Sequence, residues 1–161
     1  MSGSKINVAK QALDYIKDKL HPKMILGIGT GTTVNFFIEE LKDEKHNFAG
    51  AVSSSEASSK LLSENGIEVF NLNDVMDIAF YIDGADEVSP NNELIKGGGG
   101  AHTREKIVAS ASNEFICIVD ESKLVNKLGA FPLPVEVIPE SRSLVACLLY
   151  TSPSPRDVEE S

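Results

Sequence analysis

Between residues 83 and 105 the chain gathers Asp83, Asp86, Lys96, the glycines Gly97 to Gly100, and Glu105. Carboxylates at i and i+3, separated only by Gly84 and Ala85, can turn toward one polar ligand, and a sugar offers hydroxyl donors to such acceptors. The same pair can instead form an Asx turn with a helix cap. Four successive glycines give up packing and backbone entropy, which a fold tolerates where the backbone takes positive φ or lets a ligand approach closely. Lys96, just before this loop without side chains, is either aimed at the same ligand or solvated. After the glycines, Ala101 to Ala111 has good helix formers. The loop would thus open on a helix N-terminus, where free N–H groups and the dipole favour an anion. Glu105, on the first turns of that helix, is either a further site carboxylate or a partner of the helix dipole.

These groups need strands and helices to carry them. The apolar run Ile78 to Ile82 ends at Asp83, as a buried strand delivering carboxylates to a loop would. Upstream, Ile6, Ala9, Leu13, Ile16 and Leu20 recur every three or four residues, predicting an amphipathic helix closed by His21-Pro22. Met24 to Ile28 reads as a strand, followed by Gly29-Thr30-Gly31-Thr32-Thr33 and a helix with Val34, Phe37, Ile38 and Leu41 on one face. Phe48 to Ser53 predicts a second strand, Glu56 to Glu64 a helix ended by Asn65-Gly66, and Glu68 to Phe70 a short third strand. Phe115 to Val119, ending at Asp120, predicts a last one. Alternating strand and helix means an α/β fold: a three-layer, Rossmann-like parallel sheet with helices on both faces. In such sheets ligands bind beyond the carboxyl ends of the strands. Thr30 to Thr33, Ser53 to Ser55, Asp83 to Asp86 and Asp120 to Lys123 each follow an apolar strand, and they are expected to line one crevice.

The motif Gly27-Ile28-Gly29-Thr30-Gly31 is not a dinucleotide fingerprint, because its third glycine comes one residue too early and Ser53, not an acid, ends the second strand. A small nest of N–H groups and threonine hydroxyls for a phosphate or carboxylate suits it better. A plain glycine turn with capping threonines is the alternative.

The 161 residues suit one main domain, and a net charge of −9 lacks the basic face that a nucleic-acid partner requires. Met1 to Leu20 is studded with lysines and aspartates, so neither a signal peptide nor a membrane span is expected there, and the predicted location is the cytoplasm. Cys117 lies in the apolar run Phe115 to Val119 and is read as a buried structural thiol. His21, His46 and His102 lack metal-ligand spacing.

Taken together, Gly-Thr-Gly-Thr-Thr at 29 to 33, Ser-Ser-Ser-Glu-Ala-Ser at 53 to 58, Asp-Gly-Ala-Asp-Glu at 83 to 87, Ile-Lys-Gly-Gly-Gly at 95 to 99, Thr-Arg-Glu-Lys at 103 to 106 and Phe-Pro-Leu-Pro-Val-Glu-Val-Ile-Pro at 131 to 139 resemble ribose-5-phosphate isomerase of the A type. The resemblance runs over about residues 5 to 148. It implies a metal-free and cofactor-free aldose-ketose isomerase that interconverts ribose 5-phosphate and ribulose 5-phosphate in the non-oxidative pentose phosphate pathway. Residue by residue, it makes Glu105 the general base, Asp83, Asp86 and Lys96 the polar groups around the sugar, and Lys123 a further active-site lysine. Thr30, Gly31, Thr32, Thr33, Gly84, Ala85, Gly97, Gly98 and Gly99 become substrate-binding positions. Proton exchange between Asp83 and a sugar hydroxyl would assist ring opening. Gly100 and His102 stand where some relatives have Ala and Leu, a change expected to touch the loop's flexibility more than its chemistry. A homodimer or homotetramer is implied for a full-length chain, with no nucleic-acid or membrane partner. A sugar-phosphate-sensing domain would keep the glycine-threonine nest but has no need of the carboxylates.

At its end the sequence departs from the family pattern. Residues 1 to 130 are expected to form the catalytic α/β domain, and 131 to 149 the start of the family's smaller α+β domain, here truncated, so that an inactive isomerase is a further alternative. Residues 150 to 161, with two prolines among polar residues, are expected to be a disordered, non-native tail whose foreign sequence starts near Cys147.

Overall fold

A computed structural model describes residues 2–151. Four parallel strands form the central sheet in the order β2-β1-β3-β6: β1 (Ile25–Ile28), β2 (Gly50–Ser53), β3 (Ile78–Asp83) and β6 (Ser112–Cys117). Leu26 lies beside Ala51 on one side and Phe80 on the other, and Asp83 closes the ladder opposite Cys117. A two-stranded antiparallel hairpin, β4 (Glu87–Val88) with β5 (Leu94–Ile95), rises from the end of β3.

Helices cover both faces, as expected of a parallel sheet. On one, α1 (Ser2–Ile16), α2 (Thr32–Leu41) and α3 (Glu56–Glu64) bury Ala9, Ile16, Phe37, Leu41 and Leu62 against Leu26, Ile28 and Ile82. The face predicted for α2 is the one it buries: Val34, Phe37, Ile38 and Leu41. On the other face, α4 (His102–Ser110) sets Val108 against Val52, Ile78 and Tyr81.

Two predicted strands come out differently. Glu68 to Phe70 makes one bridge, Val69 beside Ala51, held by Ala51 N–H to the Glu68 carbonyl and Phe70 N–H to the Ala51 carbonyl, each 2.8 Å. The 3-10 turn Leu72–Asp74 begins before a ladder can extend. The last strand starts at Ser112 rather than Phe115, because backbone pairing with Ile78 needs no apolar side chain. Its Asn113, Glu114 and Phe115 are exposed, and Cys117 is half-buried.

Beyond Gly129 the chain runs extended to α5 (Arg142–Thr151), which buries none of its residues. Tyr150 and Thr151, expected to begin a disordered tail, complete the last turn of α5, where the Thr151 hydroxyl donates to the Cys147 carbonyl at 2.9 Å. The remainder of that predicted tail, 152–161, lies outside the described residues. Among the described residues no helix is long and apolar enough to cross a membrane.

Candidate active site

The strand ends build a cleft of about 200 Å³. From β1 come Thr30, Gly31, Thr32 and Thr33; from β3, Asp83, Gly84, Ala85 and Asp86; from β5 and its glycine loop, Lys96, Gly97, Gly98 and Gly99; from α4, Glu105; and after β6, Lys123. Every residue that the family resemblance assigns to the site therefore lines one cleft. Ser53 to Ser55 do not. Ser54 is buried behind the nest, sharing a hydrogen bond of 2.8 Å with the Thr30 hydroxyl, and Ser55 caps α3 by accepting from Ser58 N–H at 3.2 Å. Asp120 also turns away, capping the short turn Glu121–Lys123.

Asp83 is 1 % exposed, and four donors hold its carboxylate. Oδ1 accepts from Thr30 N–H at 3.0 Å and Gly84 N–H at 2.7 Å; Oδ2 accepts from the Tyr81 phenol at 2.5 Å and Lys96 Nζ at 2.7 Å. A buried charge needs such partners. Lys96 also donates to the Gly84 carbonyl at 2.5 Å, which fixes its ammonium at the head of β3. Asp86 is only half-buried and accepts from Gly98 N–H at 2.8 Å. The neighbouring Glu87, 3 % exposed, accepts from Gly129 N–H at 2.7 Å and Phe131 N–H at 2.6 Å, tying the downstream loop to the hairpin.

Glu105 sits in the first turn of α4 and is 5 % exposed. Its Oε2 lies 3.2 Å from Lys96 Nζ, yet accepts no aligned hydrogen bond, because that ammonium is directed at Asp83 and Gly84. Burial raises the Glu105 carboxyl above its ordinary value; Lys96 opposes this, and Asp83 adds to it. The result is a carboxylate of enhanced basicity whose Oε2 is paired with Lys96 by charge and not by an aligned hydrogen bond.

At the opposite end of the cleft, Gly31 starts α2 with φ of 114°, a backbone conformation suited to glycine. The first N–H groups of α2 have no partners within the helix and open toward the cleft with its dipole. Lys5, on α1, donates to the Thr32 hydroxyl at 2.8 Å at this end, and Lys123 lines the same cleft. Two cations over a helix start can hold a doubly charged anion.

The start of α4, predicted to be a second anion site, has one of its donors already taken by a carboxylate of this chain. Thr103 N–H donates to Glu136 Oε2 at 2.7 Å, and hydrogen bonding to Thr103 holds the Glu136 carboxyl below the usual carboxylate range. Sequence reasoning missed both Lys5 and Glu136: one is a lysine among several on α1, the other meets α4 from 33 residues downstream. Among the described residues no group of His, Cys, Asp and Glu is placed to hold a metal ion.

A profile of the family described as ribose 5-phosphate isomerase A (phosphoriboisomerase A) matches residues 50–157. A curated ribose-5-phosphate isomerase A of Legionella pneumophila (strain Corby) is 57% identical over 146 residues, covering 91% of this chain and 66% of that protein. The chain thus spans just under two thirds of the length of such curated relatives. The crystal structure of ribose 5 phosphate isomerase A from Neisseria gonorrhoeae superimposes with a TM-score of 0.81 at 49% identity, over 92% of this chain and 67% of that one. A D-ribose-5-phosphate isomerase in complex with phospho-erythronic acid gives 0.82 at 36% identity, over 93% and 66%.

Proposed function

The chain belongs to the ribose-5-phosphate isomerase A family, and from that premise we propose that it interconverts D-ribose 5-phosphate and D-ribulose 5-phosphate through an enediolate. The observation that carries this reading is Glu105: a buried carboxylate, raised in basicity, that lines the cleft and accepts no aligned hydrogen bond at Oε2, with an ammonium 3.2 Å away. Isomerisation removes a proton from the carbon beside the carbonyl and returns it to the neighbouring carbon, and a placed base contributes roughly 10²- to 10⁴-fold to such a transfer.

The phosphate sits on the start of α2, against Thr30 to Thr33, Lys5 and Lys123. This directs the other end of the sugar toward Glu105. Lys96 and the N–H groups of Gly97 and Gly99 offset the negative charge that develops on the enediolate oxygens, commonly the larger effect. Asp86 gives one oxygen to Gly98 and keeps the other for a sugar hydroxyl. Asp83, whose oxygens are taken by four donors, anchors Lys96 instead of exchanging a proton with the sugar. That the structure of a related isomerase holds phospho-erythronic acid supports a ligand of this kind.

The reaction belongs to the pentose phosphate pathway of the cytoplasm. Residues from about Phe131 begin a second, α+β domain, and a chain of the relatives' length forms a homodimer or homotetramer. The exposed Leu133, Ile138 and Leu144 support that arrangement.

The test is interconversion of the two pentose phosphates by the purified chain in the presence of EDTA, with Glu105→Gln as control. Turnover that resists chelation and disappears in the control, with phosphosugar binding retained, is the expected result. An active glutamine variant would remove Glu105 from the role of base.

A further inference from the structure

Tyr81 touches neither the sugar nor the phosphate end of the cleft. It lies on β3 at 0 % exposure, its ring stacked on Phe115 with centroids 5.5 Å apart. Its phenol donates to Asp83 Oδ2 at 2.5 Å. That same oxygen accepts from Lys96 Nζ at 2.7 Å, and Nζ lies 3.2 Å from Glu105 Oε2. Phenol, carboxylate, ammonium and carboxylate thus stand in one line from the core to the cleft.

We propose that Tyr81 is a positioning residue: by supplying one of the two donors to Asp83 Oδ2, it apportions Lys96 between Asp83 and Glu105 and so sets the basicity of Glu105. The meaning of this for turnover rests on Glu105 being the base. Without the phenol, Asp83 Oδ2 keeps only Lys96 as donor. A buried carboxylate short of one hydrogen bond draws its remaining cation closer. Lys96 then screens Glu105 less, and the poorly compensated charge of Asp83 is felt more strongly there; both changes favour protonated Glu105.

Other groups near this line leave the direction unchanged. His102, on the same helix as Glu105, lowers the glutamate's pKa but is not bonded to Asp83. Cys117, on β6 beside Lys96 and Asp83, is pushed up to about 11 by burial and stays a neutral thiol. Burial and the charge of Asp83 also hold the Tyr81 phenol protonated, so it remains a donor throughout the pH range of interest.

The experiment follows the Glu105 carboxyl by NMR in chain labelled with 13C-glutamate, the resonance being assigned with Glu105→Gln. Tyr81→Phe keeps the ring and its stack on Phe115 and removes only the oxygen. The midpoint of Glu105 is expected to rise by roughly half a pH unit or more. An unmoved or lowered midpoint in the folded variant would overturn the proposal. A second measurement needs no variant at this position: with 13C-ζ-tyrosine, the Tyr81 resonance of the native sequence should shift as Glu105 titrates, and indifference to that titration would equally overturn it. Neither readout requires turnover. Failure of the isomerase reading would appear as a silent wild-type assay, whereas failure of this inference would appear as an unmoved resonance.

Discussion

The carboxylate of Asp83 fills the space beside Gly29: a Cβ built on that glycine would lie 2.0 Å from Asp83 Cγ. Gly29 is therefore required for close packing against a side chain, and its substitution acts on the site through Asp83. Gly29→Ala is expected to push the carboxylate off Thr30 N–H and Lys96, and to destabilise the fold by roughly 1–3 kcal/mol. Urea unfolding and the Thr30 amide shift would measure both; an alanine variant with unchanged stability and shift would show that Asp83 can move freely.

Glu105 should weaken the fold it serves. Its folded-state pKa is raised above the ordinary 4.5, so the folded chain holds that proton more tightly than the unfolded one does. Stability from this group is then present at low pH and is lost as pH rises through the folded value. Glu105→Gln is expected to be more stable than wild type at pH 7 to 8, where the native carboxylate must stay charged against its preference for the proton. The difference should shrink toward pH 4.5, which urea midpoints at the two pH values would report. If Glu105 is the base, the same ionisation is expected to make kcat/KM fall as pH drops through the raised value, which a pH–rate profile would report.

Lys5 should act on binding more than on chemistry, because it stands at the nest and not at the reacting carbons. Lys5→Ala is expected to raise KM roughly tenfold or more while leaving kcat nearly unchanged, the signature of a lost charge-assisted contact equal in ground and transition states. Added salt should narrow the gap between variant and wild type. A loss confined to kcat would place Lys5 elsewhere in the mechanism.

Glu87 holds the loop that follows β6. Glu87→Ala leaves Gly129 N–H and Phe131 N–H without their acceptor, at a cost of about 2 kcal/mol. Amide exchange at Gly129 and Phe131 should speed up before any change at β3. Exchange that stays slow at both amides would mean that other contacts fix this loop.

Much of the cleft was legible because one rule of parallel sheets gathers strand ends. Asp83, Thr30 and Lys123 are far apart in the chain but each follows an apolar run, so the run alone placed them. The rule is silent on what stands behind the cleft. Tyr81 reads as one more apolar position in Ile78 to Ile82, and only its register on β3, two residues before Asp83, turns its phenol onto that carboxylate. Ser53 to Ser55 followed the rule's pattern, yet the chain bends so that Ser54 supports Thr30 from within. Glu68 to Phe70 had the composition of a strand but too few residues to pair beyond Val69. The start of α4 looked like an anion site because helix ends advertise their own free donors; they do not reveal a glutamate arriving from a distant loop.

That glutamate gives the cleft a direction. Of the two helix starts near it, α2 carries no side-chain cap, while the first turn of α4 has its Thr103 N–H taken by Glu136. On the proposed reading, a ligand with one phosphate places that group toward Lys5 at the start of α2, which leaves its uncharged end to Glu105. A sugar phosphorylated at both ends would bring its second phosphate toward Glu105 and the glycine loop, whose other side Glu136 lines. Discrimination against bisphosphates would then come from an acid that never touches the substrate.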